Sequence, residues 1–305
     1  MKILNFFLKK IFSGYFNRKI FTRGCSHFSL MKKNYNDIKD LNDLEFKVFS
    51  QNGEDGIIDY LLYSLNIKKP KFIEIGTGDY SESNTRFLFE RTNCKGLIVD
   101  CIKNLKKKVS RNTKLWKGDL TIVEEFVDSE NVTKILKDNN FFEGIDLFSL
   151  DIDGVDYWVL ESLPEKFSKI FVVEYNATFG PNVEITVPKI KNFERKKYHY
   201  SNLCFGASLK AIVKLMNKKK YFFLGTNITC NNAFFILEDE VKRLNINLPK
   251  NDDLTKYTNS NIRESRSIEG KLTYLSGDQK IKEIENCEIV DLSNPKREIK
   301  KIKDV

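Results

Sequence analysis

The run Phe72-Ile73-Glu74-Ile75-Gly76-Thr77-Gly78-Asp79 constrains this chain more than any other stretch. Apolar residues followed by an acid and two glycines read as a buried strand that ends in a ligand loop. One glycine serves the tight turn, and the other lets the backbone approach a ligand. Asp100 closes a second apolar run, Gly96-Leu97-Ile98-Val99, twenty-two residues past Gly78. A carboxylate at that distance is placed to take ribose hydroxyls in a doubly wound sheet. A predicted helix over 83–92 lies between the two strands, which is the context a nucleotide-type cofactor loop requires. No G-x-x-x-x-G-K-[ST] occurs, so the loop is not a P-loop, and Ser81 stands where a dinucleotide fingerprint would place its third glycine.

The alternation around this loop predicts an α/β fold. Apolar positions Ile57, Ile58, Leu61, Leu62 and Leu65 recur at helical spacing over 51–66. Strands are expected at 71–76, 96–100, 113–117, 146–151 and 169–175, with helices at 83–92, 102–110, 121–138 and 156–163. Strands separated by helices imply a parallel sheet covered on both faces. After a helix at 207–218, the apolar runs 221–224 and 233–237 are separated by about eight residues, too few for a crossover helix, so they must be antiparallel. The expectation is a Rossmann-like, doubly wound, mostly parallel seven-stranded sheet with an antiparallel terminal hairpin. It occupies 48–240, carries an insert at 177–204, and is followed by a charged extension at 241–305 that packs on it. The insert holds Phe193, Tyr198 and Tyr200 among many basic residues, and a loop of that length reads as a lid or binding insert.

The formal net charge is +9, and the first 36 residues carry eight Lys or Arg and no acid. Residues 1–47 therefore read as a basic leader, either loosely ordered or lying on an anionic membrane surface through Leu4, Leu8, Ile11 and Phe12. Its apolar clusters are too interrupted to span a bilayer. Six scattered cysteines without a C-x-x-C suggest reduced thiols and a cytoplasmic protein, peripheral to the inner membrane face if the leader binds there. With only His27 and His199 in the chain, Ser-His-Asp and Cys-His chemistry has little to work with.

Carboxylates at strand ends carry the remaining signal. Asp151, Asp153 and Asp156 fall within six residues at the end of one buried strand, and Glu174 ends the next. Asp151 and Asp153 share a side of an extended chain, and ligands of open α/β sheets bind outside these carboxyl ends. Two readings stay open. Asp151 and Glu174 hold Mg²⁺ or a similar ion, or one acid acts as general base toward a hydroxyl, with His199 a further candidate. A turn at Asp153-Gly154 and an N-cap at Asp156 are the non-functional reading of the first group.

The chain resembles the FkbM-like group of S-adenosyl-L-methionine (SAM)-dependent methyltransferases over roughly residues 48–292. The resemblance is carried by Ser50-Gln51-Asn52-Gly53-Glu54-Asp55-Gly56, the Glu74–Asp79 loop, Ser83-Asn84-Thr85, Asp151 to Trp158, Glu174-Tyr175-Asn176, Phe205 to Leu209 and Asn232-Ala233-Phe234-Phe235. It implies SAM held at Glu74, Gly76 and Gly78 with Gln51 and Asn84 beside it, ribose on Asp100 and adenine near Asp119. It also implies methyl transfer to a hydroxyl of a sugar, glycan or related small molecule, catalysed through Asp153 or Asp151. The strand-end acids are similar to those of macrocin-type sugar O-methyltransferases, which use Mg²⁺ or Mn²⁺, although Glu174-Tyr175-Asn176 replaces their paired aspartates. Tyr80 stands where such loops commonly have another glycine, and it is expected to narrow the cofactor pocket. The other readings are a dehydrogenase on the same fold and a non-catalytic scaffold in a glycan or membrane assembly. Nucleic-acid methylation is disfavoured by the missing N/D-P-P-Y motif.

Overall fold

The computed structural model describes residues 2–249 and 254–305. Along the chain run α1 (Lys2–Asn34), α2 (Glu54–Ser64), β1 (Lys71–Ile75), α3 (Arg86–Thr92), β2 (Lys95–Asp100), α4 (Leu105–Asn112), β3 (Asp119–Glu124), α5 (Val132–Asp138) and β4 (Ile145–Leu150). They are followed by α6 (Asp156–Ser162), β5 (Ser168–Glu174), β6 (Ile185–Thr186), α7 (Arg195–Tyr198), α8 (Leu209–Lys218), β7 (Tyr221–Thr226), β8 (Asn232–Leu237), α9 (Asp278–Glu283), β9 (Glu288–Asp291) and β10 (Ile299–Lys301). Seven strands form one sheet in the order β3-β2-β1-β4-β5-β8-β7, and only the pairings of β8 are antiparallel. This is the Rossmann-like arrangement expected from the sequence.

Strand alternation explains why both faces of the sheet are apolar. Ile73, Phe148, Leu150, Phe171, Val173 and Phe235 enter the core on one face, and Phe72, Leu147, Ile170, Val172 and Phe234 enter the core on the other. Each strand then reads as a continuous apolar run, as a doubly covered parallel sheet demands.

Three regions differ from the sequence expectation. The strand expected at 113–117 is a short helical turn with an exposed Trp116, and the edge strand is instead Asp119–Glu124, which runs into the start of the segment expected to be helical. Its Thr121-Ile122-Val123 is β-branched, and pairing with β2 decides the matter. A second sheet, in the order β10-β9-β6, joins the 177–204 insert to the C-terminal segment. The basic leader is helical through α1, whose second half packs on the body. Phe21, Cys25 and Phe28 meet Val48, Phe49 and Phe87, and the Tyr35 hydroxyl just beyond the helix donates to Asp59 at 2.8 Å. The apolar face expected at Leu4, Leu8, Ile11 and Phe12 lies outside the described side chains. No helix among the described residues is long and apolar enough to cross a membrane.

Candidate active site

The carboxyl ends of β1, β2 and β4 open on a cleft of about 490 Å³ lined by Gln51, the Glu74–Asp79 loop, Asn84, Asp100, Glu125–Val127, Asp151 and Asp153. The two glycines of the loop do different work. Gly76 has φ +86°, and a Cβ there would sit 1.5 Å from the carbonyl oxygen of Asp151, so packing of β1 against the end of β4 demands glycine. Gly78 has φ +55° and nothing within 4 Å of a Cβ, so it borders open cleft. Tyr80 does not narrow this space. Its side chain is buried in the core and bonds the Thr85 hydroxyl at 3.0 Å.

Acids on this side of the cleft are engaged by the chain itself. Glu74 accepts from the Ser83 hydroxyl at 2.6 Å, from the Asn84 N–H at 2.9 Å, and from both the N–H at 3.1 Å and the hydroxyl of Thr85. It thereby builds the entry to α3, while burial pushes its carboxyl pKa up against those donors. Asn84 donates onward to Ser149 Oγ at 3.1 Å. Asp100 accepts from the Gly78 N–H at 2.8 Å and the Ile102 N–H at 2.9 Å, tying the two loops of the cleft together. Each of its oxygens retains a second lone pair.

Within the Ser50–Gly56 motif, Gln51 lines the cleft, whereas Glu54 and Asp55 serve the framework behind it. One Asp55 oxygen accepts from the Val48, Phe49 and Ser50 N–H groups at 2.7, 2.8 and 2.9 Å. Glu54 accepts from the Asn227 and Asn232 amides at 2.7 and 2.8 Å, which orients Asn232 at the sheet's carboxyl edge.

On the β4–β5 side the acids are less engaged. One oxygen from each of Asp151, Asp153 and Glu174 lies within 4.8 Å of the others. Glu174 pairs with Asn232 across β5 and β8, and Glu174 Oε2 and Asn232 Oδ1 are both buried without a hydrogen-bond partner among the described residues. Loss of hydration first, and then the charge of neighbouring acids, drives the Asp151 and Glu174 carboxyls well above the usual range. Asp153 adopts φ +54°, and its Oδ1 accepts from Arg195 Nη1 at 2.5 Å. The Arg195 guanidinium also lies 4.0 Å from the centre of the Phe205 ring. Asp156 is not the N-cap the sequence suggested. It is the first residue of α6, fully buried, and accepts from the Ile152 and Gly154 N–H groups at 3.0 and 2.9 Å, shaping the loop that presents Asp151 and Asp153.

A second cavity of about 280 Å³ lies beyond these acids, and its lining includes Gln51, Asp151, Asp153, Glu174, Arg195 and Lys280. Gln51, Asp151 and Asp153 line both cavities, so the two spaces meet at the acid pair. Asn176 closes the base of the insert. Its amide donates to the Leu203 and Phe205 carbonyls at 2.8 and 3.0 Å, and its N–H donates to the Ala207 carbonyl at 2.9 Å.

Two residues singled out in the sequence are not brought here. Asp119 is the first residue of β3, at the opposite end of the sheet, exposed and 3.7 Å from Lys95. Placing the strand at 113–117 put its carboxyl end near Asp119, whereas the true carboxyl end delivers Glu125, Phe126 and Val127 to the cleft. His199 shares a separate depression with Cys287 and Glu288, bonds Ser201 Oγ at 2.7 Å, and has its pKa lowered by burial. Arg195 and Lys280 were not singled out. Arg195 is one of five basic residues between Lys189 and Lys197, and nothing local distinguishes it.

No protein-family model matches the chain, and no curated protein matches it either. Among solved structures, the chain is similar to an S-adenosylmethionine-dependent methyltransferase from Clostridium acetobutylicum at 9% identity and TM-score 0.38, covering 60% of this chain and 90% of that one. A putative RNA methyltransferase from Pyrococcus horikoshii aligns at 14% identity and TM-score 0.36, covering 68% and 96%. An O-methyltransferase family protein from Burkholderia thailandensis aligns at 10% identity and TM-score 0.36, covering 60% and 57%. Similarity at this level does not extend to chemistry, which rests on the site itself.

Proposed function

We propose that this chain is a SAM-dependent methyltransferase of the FkbM-like group, acting on a hydroxyl of a sugar or glycan. The observation that carries the reading is that the glycine-loop cleft and the second cavity meet at Asp151 and Asp153. A transferase needs a cofactor space and an acceptor space that share one reactive boundary.

The cleft fits the cofactor. Its size lies within the range of roughly 300–1,000 Å³ typical of small-molecule sites, Gly78 faces open space, and Asp100 keeps lone pairs for ribose hydroxyls. When bound there, SAM supplies an electrophilic methyl group. The chain's own task is to align an oxygen nucleophile and take its proton. Arg195 holds one oxygen of Asp153, which leaves the other to accept that proton. Glu174 and Asn232 offer buried, unpartnered oxygens that suit a hard cation. Asp151 and Glu174 are the residues that would hold Mg²⁺ or Mn²⁺, and such an ion would lower the pKa of the acceptor hydroxyl.

Calorimetric titration with SAM and S-adenosylhomocysteine, followed by methyl incorporation into a panel of sugars, tests the reading. Saturable binding of both and EDTA-sensitive transfer are expected. Absence of SAM binding would overturn it in favour of a non-catalytic scaffold. Transfer unchanged by EDTA would remove the metal and leave the acids as base and orienting groups.

A further inference from the structure

The lining of the second cavity carries both signs of charge. Asp151, Asp153 and Glu174 are its acids on the strand ends. Lys280, on α9 of the C-terminal segment, also lines the cavity, and it is 7% exposed. Its Nζ donates to the Ile262 carbonyl, and no carboxylate among the described residues forms an ion pair with it. The other candidates are occupied. Glu264, in the same lining, pairs with Arg266 at 3.2 Å. Arg195, the second cation of the cavity, is held by Asp153 and by the Asn202 carbonyl at 2.5 Å.

A part-buried ammonium whose partner among the described residues is one carbonyl is under-satisfied, since it has three donors and a charge that loses part of its hydration. Burial, aided by the charge of Arg263, lowers the Lys280 pKa. An anion entering the cavity would reverse both penalties through a charge-assisted hydrogen bond. The volume, about 280 Å³, lies just under the lower limit for drug-sized ligands and suits one sugar ring.

We infer that the acceptor is a hydroxylated molecule of about one sugar ring that carries a carboxylate or phosphate, with the anion on Lys280 and a hydroxyl at Asp153. This deepens the proposed methyl transfer and rests on the second cavity being the acceptor space. Lys280 would then set specificity against neutral sugars, because a sugar without an anion displaces water from its charge and gives it no counter-charge in return.

Calorimetry with glucuronate, glucose 6-phosphate and glucose, with and without S-adenosylhomocysteine, tests the inference. At least one anionic sugar should bind about tenfold or more tightly than glucose, the scale of a hydrogen bond to a charged group. Whichever anion gains more identifies carboxylate or phosphate as the natural group. The advantage should vanish in Lys280→Met and survive within about threefold in Lys280→Arg. Should Lys280→Met fail to fold, Lys280→Gln, which retains a donor for Ile262, makes the same comparison. Equal binding of all three sugars, or an advantage that persists without the ammonium, overturns the inference. Binding of S-adenosylhomocysteine by the unsubstituted protein is read separately, so its failure would count against methyl transfer while the sugar titrations still decide Lys280.

Discussion

Glu74 and Asp100, on the β1–β2 side of the carboxyl edge, give their oxygens to hydrogen bonds that shape their own loops. Asp151, Asp153 and Glu174, one or two strands away, crowd together instead, and a buried oxygen of Glu174 has no partner among the described residues. Acids of the first kind are paid for by the fold and make it rigid. Of the second kind, Asp153 is met by Arg195, whereas Asp151 and Glu174 are held in mutual repulsion and await a proton, a cation or a substrate donor. Asp55 and Asp156 belong with the first kind, since each organises a loop through backbone N–H groups. The difference predicts that substitutions on the two sides separate shape from chemistry.

The largest effect is expected at Asp153. Replacing a general base typically costs about 10²–10⁴ in rate, so Asp153→Asn should lose turnover in that range while SAM affinity stays within about twofold. Full turnover by this variant in a single-turnover methyl-transfer assay would end the catalytic assignment.

Stability should show the reverse pattern. Glu74→Ala strands the Ser83 hydroxyl and the Asn84 and Thr85 N–H groups, at about 1–3 kcal/mol for each unsatisfied group, so a loss of about 3 kcal/mol or more is expected in urea unfolding. Glu174→Gln should change stability by less than about 1 kcal/mol, because it removes a repelling carboxylate rather than an anchor. Comparable losses in both variants would erase the distinction between the two sides.

The pH dependence probes the framework acids. Burial pushes Asp55 up to about 6 from 3.8 against its backbone donors. A carboxyl raised on folding binds its proton more tightly in the native state. Its contribution is therefore full below 3.8 and is lost as pH rises through about 6. That contribution is on the order of 3 kcal/mol. Urea midpoints should fall between pH 4.5 and 7.5, and Asp55→Asn should flatten the slope. A midpoint that climbs over this window, or an unaltered slope in the variant, would show that other groups dominate.

The smallest effect is expected at the cofactor. Asp100→Ala should weaken SAM by roughly 1.5–3 kcal/mol, the scale of hydrogen bonds to a charged acceptor. A loss below about threefold would mean that Asp100 only ties Gly78 to Ile102.

Much of this architecture was legible because its signals are short-range. The glycine loop, the acid closing β2 and the antiparallel hairpin follow from residues that are neighbours in sequence, where turn chemistry and a period of two act directly. Gln51, Glu74, Gly76, Gly78, Asn84 and Asp100 do share one cleft, and Asp151 and Glu174 do converge. What local pattern could not supply was the partner of each segment. Thr121-Ile122-Val123 became strand because β2 offered an edge to pair with, and that moved the carboxyl end of this strand from 117, near Asp119, to Glu124.

The sequence by itself determined which residues turn, which alternate and where acids end buried strands, since these depend on backbone sterics and side-chain periodicity within a few residues. Tertiary structure alone decided that Arg195 reaches Asp153 across 42 positions and that β9 pairs with β6 of the insert. It also brought Lys280 into the cavity of the strand-end acids. Such contacts carry no local signature. They arise when burial of apolar faces brings distant segments together, and only then do charge and hydrogen bonding select which basic residue among many meets which acid.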